Sequence, residues 1–451
     1  MSVHALPPRA WLAVAVTTLG VALGFHNGHL DPAALAFLVL TWCAVVAAFV
    51  SRTPDGDRPV ERVLLVGVVV QLAFSVARPP GDAIVPMHEL LAGVYPVAQT
   101  LMAMCAVSIL LERPLLGRST FGAVVALFGL SAAWMLVASP HPVVDVVDFE
   151  RQAVRALLQG RNPYADLHLA NPYGHTRFFG PGFATDRTIE VGWVYPPLSL
   201  LLLAPAEALV HDARAALAVA LVLSALLIDR MGGRTARLAA LLFVSSPRQL
   251  FVLEQGWTEP LLVACFALVL LLVRRSPAGT AVALGALLAL KQVSVLFLPL
   301  TPLLVGELRP RRSVALVAVA LGVAALVVGP FLLRDPGAYL RSTVLFHAAQ
   351  PFRDDSLNFA AFWAWARGGV APPTSLPSLA LAGGALLVAL WRCRPTPAGF
   401  AAGCGLVLLA MLAWFKQAHC NYYFLVIGLL LCSVAATVPR STVADGGRTV
   451  G

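Results

Sequence analysis

Long apolar runs separated by short polar segments repeat along almost the whole chain. A helix needs about 20 apolar residues to cross roughly 30 Å of hydrocarbon, and fewer inside a bundle. Five runs of this kind precede the first long polar stretch: roughly 9–24, 33–50, 62–77, 90–111 and 119–138. Residues 11–24 resemble a signal-peptide core, but further spans follow at once, so the pattern predicts a retained first helix. Nine later runs lie at roughly 213–228, 238–250, 258–273, 278–290, 293–305, 313–331, 375–391, 397–414 and 422–437. Together these predict an all-α polytopic membrane protein with about 14 transmembrane helices. A further run, 196–210, carries Pro196, Pro197 and Pro205 and reads as a re-entrant or interfacial element. The polar stretch 139–195 is the longest in the chain. Within it Phe149, Ala153 and Leu157 recur at i, i+4 and i+8, with Arg151 and Arg155 elsewhere on the wheel. That spacing predicts an amphipathic juxtamembrane helix over 149–159, stopped at Gly160.

Composition agrees with this pattern. Hydrophobic residues make up 59% of the 451 and charged residues only 12%, about half the charge of an average soluble domain. A soluble globular, fibrous, disordered or disulfide-stapled secreted protein is excluded. The net charge of +9 comes from 32 basic and 23 acidic residues, and among the basic ones only Lys291 and Lys416 are lysines. The arginines are scattered over short loops, which marks topology and not nucleic-acid binding. Arg52, Arg58 and Arg62, then Arg113 and Arg118, fix two loops as cytoplasmic. If 196–210 does not cross, the basic groups at 230–237, 274–275, 309–312 and 392–394 also face the cytoplasm, as do both termini. Two outer loops follow, 139–212 and 332–374. Seven cysteines show no CxxC or metal-type spacing.

This topology brings unusual groups to one face: Asp145, Asp148, Tyr195, Arg248, Gln255, Glu259, Lys291, Arg353, Asn358, Lys416, Asn421 and Tyr422. Ionisable groups near helix ends in a membrane are costly and line polar cavities or pair with one another. Basic side chains there suit a lipid-linked anionic substrate, neutralising its phosphate. A carboxylate suits a base acting on an incoming hydroxyl.

At these residues the chain resembles the GT-C glycosyltransferases, which take polyprenyl-phosphate sugars as donors. The resemblance rests on Asp145-x-x-x-Phe149, Ala156-Leu157-Leu158-x-Gly160-Arg161-Asn162-Pro163-Tyr164, and Tyr195-Pro196-Pro197-Leu198. Further along come Gly256-x-x-Glu259, Lys291, Arg353 with Asn358-Phe359, and Phe415-Lys416 followed by Cys420-Asn421-Tyr422-Tyr423-Phe424. The pattern is most similar to bacterial polyprenyl-phosphomannose-dependent transferases and to the enzyme adding the first mannose to GPI-anchor precursors. It covers residues 119–437, leaving 1–118 as additional N-terminal helices and 438–451 as a cytoplasmic tail.

The resemblance implies an inverting transferase at the outer face of the cytoplasmic membrane. It implies Asp145 as base, with Asp148 and Glu259 as further acidic candidates. Lys291, Arg353, Lys416 and Arg248 become candidates for the donor phosphate. Tyr164, Tyr195, Gln255, Asn358, Asn421 and Tyr422 become pocket candidates. Mannose is the expected sugar, with arabinose as an alternative, and the acceptor is a glycan, glycolipid or protein. Some relatives carry an Asp-x-Asp pair where this chain has Asp145-x-x-Asp148, so no obligatory metal or other cofactor is expected.

Simpler roles compete at each position. Asp145 or Asp148 would cap a helix beginning at Phe149, and Glu259 would be a carboxylate favoured by a helix N-terminus. Lys291 would snorkel, and Lys416 would belong to an aromatic belt with Trp414, Tyr422 and Tyr423. Asp354 and Asp355 read as solvated loop charges. His26, His29 and Asp31 have a spacing that suits a metal, but no further ligand is evident nearby, so a hydrated loop is expected. Two other functions remain open: a transporter or flippase of an anionic substrate, and a scaffold with a degenerate site.

Overall fold

The computed structural model describes residues 6–165, 167, 169–306 and 310–436. Arg309 and the tail 438–451 lie outside the described residues. The first five predicted runs form α1 (Pro8–His26), α2 (Pro32–Val50), α3 (Asp57–Ala77), α4 (Glu89–Leu110) and α5 (Thr120–Ala138). Asp31 does not join a metal cluster with His26. Its carboxylate caps α2, accepting from the Ala33 and Ala34 amides at 2.8 and 3.0 Å.

The amphipathic helix α6 (Asp145–Leu158) begins four residues earlier than its apolar spacing suggests, with Val144 at the N-cap position. Neither aspartate therefore caps a helix starting at Phe149. Gly160 follows with φ +69°, as a helix-stopping glycine should. The long segment after α6 continues through a two-residue antiparallel pair, β1 (Leu169–Ala170) and β2 (Thr188–Ile189).

The proline-rich run forms α7 (Pro197–Val210), which meets α8 (Arg214–Asp229) at a bend of 116°. Such a bend suits the expected re-entrant element. The run 238–250 is not one helix. It divides into α9 (Gly233–Val244) and α10 (Gln249–Glu254), with Pro247 in the break. Next come α11 (Glu259–Leu272) and α12 (Pro277–Leu290). The run 293–305 becomes a 3-10 helix, Gln292–Leu300, continued by α13 (Thr301–Leu304). After α14 (Pro310–Arg334) come α15 (Pro336–Leu340), a π-helical turn (Arg341–Leu345), α16 (Phe346–Ala349) and α17 (Phe359–Ala366). The chain closes with α18 (Ser375–Arg392), α19 (Pro397–Leu412) and α20 (Cys420–Ala435).

Seven of these helices are long and apolar enough to cross a membrane, or eight if the bent pair α7–α8 counts as one span. The expected count of fourteen thus exceeds the helices of full crossing length. The shortfall arises because several apolar runs, including α11, α12, α19 and α20, form helices of only 14 to 16 residues, about 21–24 Å at 1.5 Å per residue. They are packed inside. α20 is buried along nearly its whole length, and α1 packs against α2, α3 and α20. The long α14 and α18 instead turn Leu326, Leu333 and Leu387 outward, as a lipid-facing surface requires.

Arginine-marked loops gather at one end of the bundle. Arg234 reaches Glu61 at 3.5 Å and Glu112 at 2.5 Å, tying together three of those segments. Arg9 pairs with Asp57 at 3.2 Å, and Arg392 donates to the Phe49 carbonyl at 2.8 Å.

Candidate functional site

A cavity of about 370 Å³ opens at the other end. Its wall draws on the turn after α1, the start of α6, the α10–α11 junction, the segments that follow α6 and α15, and the segment leading into α20. Asp145 stands on this wall because it is the first residue of α6, whose apolar face (Phe149, Ala153) is buried against the bundle. The Tyr173 hydroxyl donates to Asp145 Oδ1 at 3.0 Å. Desolvation raises the Asp145 pKa above the ordinary carboxylate value, while the Tyr173 bond and the charge of Arg353 pull it back. This half-buried carboxylate faces a cavity, as a proton acceptor must.

Arg353 lies on the same wall. Its Nε and Nη2 fork onto Asp355 Oδ1 and Oδ2 at 2.8 and 2.6 Å, and its guanidinium stacks 3.8 Å from the centre of the Phe178 ring. Phe178 in turn meets Tyr173 edge-on at 4.9 Å. The chain Asp145–Tyr173–Phe178–Arg353 therefore runs continuously along one side of the cavity. Asp355 is not a solvated loop charge. Although burial opposes it, hydrogen bonds from His29 and Arg353 hold its carboxyl well below the usual range.

Tyr195, Gln255, Asn421 and Tyr422 also line the cavity, as the sequence suggests. Lys291 and Glu259 stand one layer behind. Lys291 Nζ contacts Glu259 Oε1 at 2.7 Å, and Asn421 donates to the same oxygen at 2.8 Å. The ammonium lies 4.4 Å from the Tyr195 ring centre and 5.7 Å from that of Tyr422, so two cavity-lining rings cover it.

The other candidates do different work. Arg248 spends its donors on the carbonyls of Leu23, Gly24 and Pro79, closing the end of α1. Lys416 donates to the His347 and Ala348 carbonyls at 2.7 and 2.9 Å. Tyr164 is buried and donates to the Tyr195 carbonyl at 2.9 Å. Asn358 caps α17 and bonds the Phe415 carbonyl. Asp148 does not line the cavity and lies 3.9 Å from Arg151.

Sequence reasoning missed Tyr173, Phe178, His347, Gln417 and His419 as cavity residues. For Tyr173 and Phe178 the one signal was an aromatic-rich loop between Asn162 and Tyr195, which carries no spacing that singles out a residue. His347 is half-buried, with a ring nitrogen 2.8 Å from the Val194 carbonyl. Burial pulls its pKa down to about 4, with Lys291 and Lys416 adding to the effect, so its imidazole is neutral.

Neither the curated proteins nor the solved structures yield a match to this chain. Among protein-family models, that for glycosyltransferase family 87 matches residues 193–433, just over half the chain. The matched stretch supplies Tyr195, Gln255, Arg353, Asn421 and Tyr422 to the cavity. It begins after Asp145, which the start of α6 provides. With the helical membrane architecture and a cavity joining a carboxylate to an arginine, the match settles the family: the chain belongs to glycosyltransferase family 87, a GT-C-like family of membrane glycosyltransferases.

Proposed function

We propose that the protein transfers mannose from a polyprenyl-phosphate donor to a glycan, glycolipid or protein acceptor at the outer face of the cytoplasmic membrane. The observation that carries this reading is the placement of Asp145 and Arg353 on one cavity wall. In the reaction the acceptor hydroxyl attacks the anomeric carbon. The bond from that carbon to the phosphate oxygen breaks, and the hydroxyl proton passes to the Asp145 carboxylate. Configuration inverts, and polyprenyl phosphate leaves as an anion.

Arg353 is the basic group best placed to meet that anion, because it alone of the four basic candidates lines the cavity. A guanidinium presents a rigid fork suited to phosphate. Asp355 and Phe178 hold its plane in position. The outward apolar surfaces of α14 and α18 are consistent with a lipid-embedded enzyme. The gathering of arginine-rich loops at the end opposite the cavity supports cytoplasmic placement of those loops and an outward-facing site.

The test is transfer from radiolabelled polyprenyl-phosphomannose by the purified protein. Asp145→Asn keeps the shape and the Tyr173 contact but removes the base. Transfer should fall about 100-fold or more while the unfolding temperature stays unchanged. Near wild-type turnover by this variant would show that Asp145 is not the base. A donor carrying arabinose in place of mannose tests the sugar.

A further inference from the structure

Three segments far apart in sequence are laced together beside the cavity. They are the turn after α1, the segment between α16 and α17, and the segment before α20. The Leu30 amide donates to the Asp355 carbonyl at 2.8 Å, and the Leu357 amide is shared by the Gly28 and Ala418 carbonyls, each at 3.1 Å. The Arg353 amide donates to the Lys416 carbonyl at 2.8 Å. Gly28, at φ +79°, lets the first turn lie directly against Cys420, where a Cβ would come within 2.4 Å of the Cys420 nitrogen.

The lacing brings His29, Asp355 and His419 together. One ligating atom from each lies within 4.8 Å of the others. His29 Nδ1 is 3.3 Å from Asp355 Oδ2, and the two imidazole rings are 5.5 Å apart. All three residues line the cavity. His419 supplies an independent observation: both its ring nitrogens are shut off from solvent, and neither has a hydrogen-bond partner among the described residues. A buried polar group left in that state is costly.

We propose that His29, Asp355 and His419 form a binding site for one divalent metal ion of the zinc class, with its remaining coordination position open to the cavity.

The donor set suits such an ion. Two imidazoles and a carboxylate select zinc and its transition-metal neighbours over calcium or magnesium. Three protein ligands with an open fourth position are the usual form of a zinc site that meets a substrate. Tetrahedral bonds of about 2.1 Å place ligand atoms roughly 3.4 Å apart, so modest side-chain rotations within the 4.8 Å group complete the geometry.

Arg353 orients Asp355 from behind. Its Nε bond to Oδ1 can persist while Oδ2 ligates, the arrangement in which an outer partner fixes a carboxylate ligand. The guanidinium charge also weakens the site for any cation, which favours an ion that forms strong bonds to imidazole nitrogen. The expectation of no obligatory metal concerned the spacing of Asp145 and Asp148. The present site uses other residues, contributed partly by the helices that precede the family-matched stretch.

Metal content tests this without recourse to activity. The purified full-length protein is stripped with EDTA, reloaded with zinc, separated from free metal and measured by plasma mass spectrometry. Wild type and His141→Ala, an exposed histidine elsewhere, should each hold about one zinc per chain. His419→Ala, Asp355→Asn and His29→Asn should each lose at least about tenfold in zinc affinity. Cobalt substitution should give visible absorption bands in wild type that vanish in the three variants. His29 is the most exposed of the three, so His29→Asn carries the test if His419→Ala does not fold. Wild-type protein that retains no zinc, or variants that bind it as well as wild type, would overturn the proposal. Either result leaves the Asp145 transfer assay unaffected.

Discussion

Lys291 is one of two lysines in the chain, and its partner Glu259 has one oxygen bonded to both Lys291 and Asn421 and the other buried without a partner among the described residues. A pair so enclosed is costly to break, because removing one member strands the other. Lys291→Met should destabilise the protein by about 3–5 kcal/mol, read as a lowered unfolding temperature in detergent. A lysine acting on the donor phosphate would instead raise the KM for donor with stability unchanged. Tyr173 permits a pH test. Its hydroxyl bond favours the charged form of Asp145, so Tyr173→Phe should raise the Asp145 pKa further. A protonated Asp145 cannot accept the acceptor's proton. The acid limb of kcat/KM against pH should therefore move to higher pH in Tyr173→Phe. Asp145 and Arg353 were legible in the sequence as charges beside apolar runs. Lys291 was legible as unusual but not as paired, because ion pairs between residues 32 apart leave no local spacing. His419 was invisible for the same reason: its neighbours His29 and Asp355 come from other parts of the chain.

At the scale of elements, apolar periodicity found α1 to α5 closely, since each is a long run bounded by polar residues. It placed the start of α6 too late, because Asp145 puts a charge at the stripe position four residues before Phe149 while still adopting helical geometry. It joined α9 to α10, and it read a 3-10 helix as a crossing, because apolar content does not report helix type. The lacing of the α1 turn to the α20 approach had one trace in the sequence, the glycine in His26-Asn27-Gly28-His29. Gly28→Ala would place a Cβ at φ +79° and 2.4 Å from the Cys420 nitrogen. It should cost more than about 1 kcal/mol from the left-handed conformation alone, with the backbone clash added. Differential scanning fluorimetry should show a lower unfolding temperature, whereas Gly93→Ala, whose Cβ meets open space at a half-buried position of α4, should not.

The whole molecule has two ends of opposite character. One holds arginine loops bridged by Arg234, and the other holds the cavity. Arginine positions predicted that polarity because loop charge is local information. The number of crossings was less legible, since a short buried helix such as α20 and a short span have the same composition. One feature sets the limits of dissection. The turn after α1 belongs to the cavity wall through Asn27 and His29, although α1 lies outside the stretch that carries the family's pattern. A fragment cut to residues 119–437 would keep the recognisable part and lose a side of its own pocket. Grafting that fragment between relatives would exchange a pocket with one wall missing, so the four leading helices must travel with it as a unit.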